Sequence, residues 1–196
     1  MPSDTAVRAQ TGRKVYYIDP AANAGARQKD FTRTGLGGTA MAATRLGLPS
    51  ATPVATVDNL INYLRGDHSL EQRMGGTLRD RSSRIGDIFS QPVVLDKASY
   101  GYVNLPVAQG GGYGTGGYAE FVESKETRIP TVFVAANDGF IHAFDGREVG
   151  GGGELFAIAP SNVMANMHEL ASPSYVHRYF VNGSPTLGDA YLGGSW

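Results

Sequence analysis

The stretch TVFVAANDGFIHAFDG, residues 131–146, restricts the fold more than any other part of the chain. Two runs of β-branched, aromatic and small apolar residues flank Asn137-Asp138-Gly139. A short Asx-Gly turn between two such runs closes an antiparallel hairpin, because glycine accepts the positive φ that the turn demands. GREVGGGGELFAIA, residues 146–159, then returns the chain through a glycine-rich loop into a third run. Antiparallel strands are therefore predicted near 131–136, 140–145 and 154–159, which is most of one propeller blade. HRYFV, ahead of the turn NGS, predicts a further strand near 178–182.

Upstream the signals are different. In VDNLINYLR, Val57, Leu60, Ile61 and Leu64 fall on one helical face, with Asp58 and Asn59 in the first turn. Arg65 suits the negative end of that helix and Gly66 its stop. SLEQRM predicts a second short helix, capped by Asp67 or Ser69. Residues 57–80 are thus read as a short helical lead-in, and 81–196 as the first blade or blades of a truncated β-propeller with long Gly-rich insertions. Residues 1–56 are punctuated by glycine and proline and read as an irregular linker or wrapping segment, with one short strand in VYYID at 15–19. The aromatic-dotted glycine run within 98–128 reads as a surface insertion. RIGDI at 84–88 and TLGDA at 186–190 form a faint repeat, spaced more widely than the roughly 40 to 50 residues usual for blades.

Composition mainly excludes. Glycine supplies 27 of 196 residues, with no Gly-x-y period, and a hydrophobic content of 41% is too high for full disorder. The net charge of -1 offers no general attraction to nucleic acid or to anionic membranes. Arg73, Arg79, Arg81 and Arg84 cluster, but Glu71, Asp80 and Asp87 interleave with them and the aromatic residues of a single-strand binding site are missing. Arg79 and Arg81 around Asp80 read as an ion-pair network bracing the first strand. With no cysteine there is neither a disulfide framework nor a thiolate site. His68, His142, His168 and His177 lack metal-ligand spacing, and the serines of NGSP and GGSW lack the G-x-S-x-G elbow. His142 reads as a satisfied or surface-facing strand residue, and His177 as part of a polar network. No apolar run approaches the roughly 20 residues that span a bilayer, and MPSDTAVRAQTGRK has no signal-peptide core.

RDRSSRIGDIFSQPVV, VFVAANDGFIHAFDG, ELFAIAPSNVMANMHEL and above all YVHRYFVNGSPTLGDAY resemble the C-terminal β-propeller of the PilY/PilC family, the type IV pilus tip-associated biogenesis factors and adhesins. The resemblance covers roughly residues 60–196. It implies a mainly β, quinoprotein-like partial propeller in a non-enzymatic, exported protein at the pilus tip or outer surface, passing through the periplasm. It also implies action in pilus assembly, in extension and retraction and in attachment, with minor pilins, other pilus components and a host-cell receptor as partners and no nucleic acid. Family members carry an EF-hand-like calcium loop. No such loop is present here, and Asn137, Asp138 and Gly139 are too few ligands to replace it, so no cofactor is expected in this chain and calcium is expected elsewhere in a longer protein.

Two further readings stay open. Arg65-Gly66-Asp67 spells the tripeptide that integrins read, so these are candidate receptor-binding residues; equally, they form a helix stop and the start of a turn. Ala143, Asp145, Gly153 and Phe156 also resemble the blade-locking pattern of quinoprotein dehydrogenases, with Phe in place of Trp. The alternative function is accordingly a quinoprotein-like oxidoreductase fragment.

Overall fold

The computed structural model describes residues 12–98 and 100–196. Residues 1–11, which hold most of MPSDTAVRAQTGRK and the start of the expected linker, lie outside the described residues. The strands are β1 (Val15–Ile18), β2 (Gln28–Asp30), β3 (Val93–Leu95), β4 (Thr131–Ala135), β5 (Ile141–Asp145) and β6 (Glu154–Ala159). They form one open sheet in the order β2-β1-β6-β5-β4-β3. The α-helices are α1 (Thr39–Arg45), α2 (Val54–Leu64) and α3 (Tyr118–Ser124), and a 3-10 helix spans Met164–Ala171.

The β4–β5 hairpin has the expected register, from Thr131 opposite Asp145 to Ala135 opposite Ile141. Gly139 turns it at φ +93, where a Cβ would stand 2.7 Å from the Met167 side chain. That contact places the turn against the core. Phe140, fully buried, meets Phe31 edge-on at 5.5 Å between ring centroids. Val15, Tyr17, Ala157 and Ala159 cover one sheet face and share a core with α1, α2 and the 3-10 helix. On the opposite face Tyr16, Phe156 and Phe133 form a half-buried aromatic ladder.

A buried charge network ties the amino-terminal segment to this sheet. The Arg13 guanidinium holds Glu154 with both prongs, Nε to Oε2 at 2.7 Å and Nη2 to Oε1 at 2.8 Å. His142 sits between two carboxylates, with Nδ1 2.8 Å from Glu154 Oε1 and Nε2 3.0 Å from Asp138 Oδ2. Both ring nitrogens face acceptors, so the imidazolium is the form that satisfies them. Arg13, His142 and Glu154 are all buried. Burial opposes the charge on His142, but Asp138 and Glu154 outweigh it and raise the pKa to about 9. Burial likewise pushes Glu154 up, yet Arg13 and His142 prevail and hold it down at about 2.

This arrangement corrects the expected partial β-propeller. The antiparallel run β3–β6 does not stop at β6. β1 adds to it in parallel, with Val15 opposite Ala157 and Tyr17 opposite Ala159, and β2 follows antiparallel on the outside. The result is a mixed α/β sheet that is not closed into a propeller, with helices over one face. The physical cause is the anchoring of Arg13 under Glu154, which lays the next residues along the free edge of β6. Within residues 1–56, read as a linker or wrapping segment, the short strand expected at 15–19 forms as β1, and β2 and α1 are added to it. The strand expected near 178–182 is absent. There the Asn137 side chain takes the backbone instead, its Nδ2 donating to Arg178 O at 2.6 Å and its Oδ1 accepting from Phe180 N at 2.7 Å. RIGDI and TLGDA form no strands either, so the faint repeat is not a structural one.

The network predicts a stability maximum in weak acid. Glu154 falls from 4.5 to about 2, so its contribution is present above pH 4.5 and is lost as pH drops towards 2. His142 rises from 6.5 to about 9, so its contribution is present below pH 6.5 and is lost as pH climbs through 9. Urea unfolding across pH should therefore give a plateau between about 4.5 and 6.5 that declines on both sides, and His142→Gln should flatten the alkaline limb.

Candidate functional site

The candidate receptor tripeptide lies where α2 ends. Gly66 at φ +104 donates its N–H to Tyr63 O at 2.8 Å, and Asp67 N–H reaches back to Asn62 O at 2.9 Å. That pair of bonds is the standard closure of a helix that ends in a left-handed glycine. Gly66 is buried, and a Cβ there would stand 3.1 Å from Arg84 Cδ. The Arg65 guanidinium is turned inward, donating to Arg13 O at 2.8 Å and Phe31 O at 3.3 Å. Burial and the nearby Arg13 charge push it below its ordinary value. Asp67 Oδ1 accepts the Ser69 N–H at 2.8 Å, while Asp67 O accepts from Arg81 Nη2 at 2.7 Å.

Asp67 does not cap a helix over SLEQRM. The only helical turn there is a 3-10 segment, Gln72–Met74, preceded by Glu71 without a side-chain cap. Glu71 is instead the hub of this region. Fully buried, it receives Arg81 Nε at 2.9 Å and Arg73 Nη2 at 2.8 Å, and it contacts His68 Nδ1 at 2.6 Å. Burial would raise its pKa, but the Arg81 and His68 hydrogen bonds outweigh this and hold it below the usual glutamate value. Arg81 lies flat on the Tyr63 ring, 3.6 Å from the centroid, and donates to Tyr63 O at 2.7 Å. The arginine cluster thus braces the end of α2 and the turn after it, where a strand brace was expected. Sequence reasoning named Glu71 only as one of three acids interleaved with the arginines, and nothing in the sequence marks it as the buried member.

The remaining candidates are absorbed into the fold. His142 belongs to the buried network, and His168 Nδ1 lies 3.0 Å from Leu46 O. His177 Nε2 is 3.2 Å from Asn137 Nδ2. Asp138 is engaged by His142 and by the Phe140 N–H. Among the described residues no group of three or more His, Asp or Glu could hold a metal ion. No described helix is long and apolar enough to cross a membrane.

Comparison with known proteins gives the family. A family model described as "PilY1 beta-propeller domain" matches residues 85–196, more than half of the chain. The type IV pilus biogenesis factor PilY1 of Pseudomonas aeruginosa strain PAK is 40% identical over 141 residues, 69% of this chain and 11% of the relative. A type IV pilus biogenesis factor PilY1 homolog of Xylella fastidiosa strain Temecula1 is 40% identical over 153 residues, 72% of this chain and 10% of the relative. PilY1 of Pseudomonas aeruginosa strain UCBPP-PA14 is 32% identical over 197 residues, 96% of this chain and 16% of the relative. The chain belongs to the PilY1 family of type IV pilus biogenesis factors. It spans about a tenth of the length of the first curated relatives it matches. No solved structure matches it.

The quinoprotein alternative gains nothing. None of these relatives is named as an oxidoreductase. The residues that suggested it serve the sheet: Asp145 N–H bonds Gly153 O at 2.9 Å, and Phe156 packs between Tyr16 and Phe133.

Substitutions here act on stability. Gly66→Ala forces a side chain into a left-handed backbone and should cost about 1 to 2 kcal/mol in urea unfolding. Glu71→Ala leaves Arg81 without its buried counter-charge and should cost about 3 to 5 kcal/mol, whereas Arg73→Ala, at the exposed end of the same cluster, should cost under about 1 kcal/mol.

Proposed function

We propose that this chain is part of a non-enzymatic, exported protein of the pilus tip that supports type IV pilus biogenesis, controls extension and retraction, and contributes to surface attachment. Its partners are minor pilins and other pilus components, and calcium is bound elsewhere in the longer protein. The observation that carries this reading is the similarity to PilY1 biogenesis factors, sustained at 38–40% identity over 141 to 167 residues in four relatives. Deleting the gene in the source bacterium should abolish surface pili and twitching. Complementation with the full gene should restore both, and complementation lacking codons 85–196 should not. Normal piliation in the deletion strain would overturn the proposal.

Within that function we read Arg65-Gly66-Asp67 as a helix stop. What supports this is the inward guanidinium of Arg65 and the burial of Gly66, because a receptor tripeptide must present both side chains outward. Asp67→Glu and Asp67→Asn in the full-length protein should leave integrin binding unchanged. Loss of binding on Asp67→Glu with an unchanged melting temperature would instead make the tripeptide a receptor contact.

A further inference from the structure

Beside the end of α2 lies a cleft of about 410 Å³. It is lined by the loop 79–87, by Asn137 and Asp138, and by Leu170, Tyr175 and His177. Arg79 lies within it and is half-buried. Its Nε donates to Leu170 O at 2.7 Å and its guanidinium lies over the Tyr175 ring at 4.4 Å, so the group is held on two sides. Of the other charged groups on the lining, Arg81 is paired with Glu71, Asp138 is paired with His142, Asp80 Oδ1 accepts the Arg73 N–H at 2.8 Å, and Asp87 Oδ2 lies 3.8 Å from His177 Nε2. Arg79 has no carboxylate partner among the described residues. A fixed, half-buried guanidinium without a counter-ion is preorganised for a planar carboxylate, which it can meet with two parallel N–H bonds.

The rim supplies a second and independent observation. Phe89 is 58% exposed and Tyr179 63% exposed, and with His177 they form a cluster of three rings, 5.1 to 6.3 Å apart. His177 also lines the cleft, so the rings and the guanidinium share one surface. Exposed aromatic clusters of this kind are where binding energy concentrates once a partner excludes water. The rings meet edge to face, at interplanar angles of 76° to 87°, so one ring's flat surface is turned to another's edge. That leaves edges and gaps suited to branched apolar side chains more than the open faces on which sugar rings stack.

We propose that this cleft binds an extended acidic peptide segment of a partner protein, with a carboxylate on Arg79 and a neighbouring apolar side chain among Phe89, His177 and Tyr179. The proposal stands on this geometry and does not depend on the pilus assignment. It is tested by calorimetric titration of the purified full-length protein with an end-capped hexapeptide of alternating Glu and Leu. Two comparators complete the experiment: the same peptide with Gln for Glu, and cellohexaose. The Glu peptide should bind and the Gln peptide should bind at least about tenfold more weakly. Arg79→Lys keeps the charge but not the fork, and should weaken the Glu peptide by at least about tenfold. The exposed pair Phe89→Ala and Tyr179→Ala should weaken binding while leaving the melting temperature unchanged, which separates recognition from folding. No saturable binding of the Glu peptide, equal binding of the Gln peptide, undiminished binding by Arg79→Lys, or displacement by cellohexaose would each overturn the proposal.

Discussion

The bidentate pair between Arg13 and Glu154 is the interaction from which the rest of this structure follows. Removing two charges from water costs several kcal/mol each, and the cost is offset only when geometry and further hydrogen bonds are favourable. Here His142 supplies the second partner of Glu154 and Asp138 the second partner of His142, so the chain of opposite charges runs from the amino-terminal segment to the hairpin turn. Arg13 also donates to Arg65 O at 3.2 Å, and Arg65 returns a bond to Arg13 O, which joins the end of α2 to the same site. Strand β1, the edge of β6, the β4–β5 turn and the helix stop are thereby positioned by one cluster. Losing Arg13 strands Glu154 as a buried charge, so β1 and β6, which this pair joins directly, are expected to respond together.

What could be read from the sequence divides along a physical line. Hairpin β4–β5 and strand β6 were legible because alternation and an Asx-Gly turn act between near neighbours. Helix α2 was legible from its apolar face and its glycine stop, although it begins at Val54, three residues ahead of Val57. The parallel pairing of β1 with β6 links residues more than a hundred positions apart and leaves no local trace. Nor did composition distinguish His142, Glu154 and Arg13 as partners, since His142 and Glu154 each sit alone among apolar or glycine neighbours and Arg13 is one of two adjacent basic residues. At 178–182 the alternation was genuine but the outcome differed. A side-chain amide from Asn137 satisfied the backbone there, and Phe180 turned into the core without a neighbouring strand.

The site followed the same division. Arg65, Gly66 and Asp67 could be read as a helix stop from adjacent residues alone. The buried Glu71 and the cleft around Arg79 depend on segments folded together from 63 to 87 and from 170 to 177. The run YVHRYFVNGSPTLGDAY, which carries the strongest family resemblance, is not a core strand. Its Tyr175 and His177 line that cleft, and its His177 and Tyr179 join Phe89 in the exposed ring cluster. Its unusual sequence is thus accounted for by a surface with side chains committed to Asn137, Arg79 and one another.

The account is tested most directly by amide hydrogen exchange on the full chain and on Arg13→Met. In the unmodified protein, amides in Val15–Ile18 and Glu154–Ala159 should be as well protected as those in Ile141–Asp145, because all three strands are interior to the sheet. In Arg13→Met, protection should fall in β1 and β6 together while the β4–β5 hairpin keeps most of its own. Rapid exchange over Val15–Ile18 in the unmodified chain, beside a protected β6, would contradict the parallel pairing and the role assigned to the buried charges.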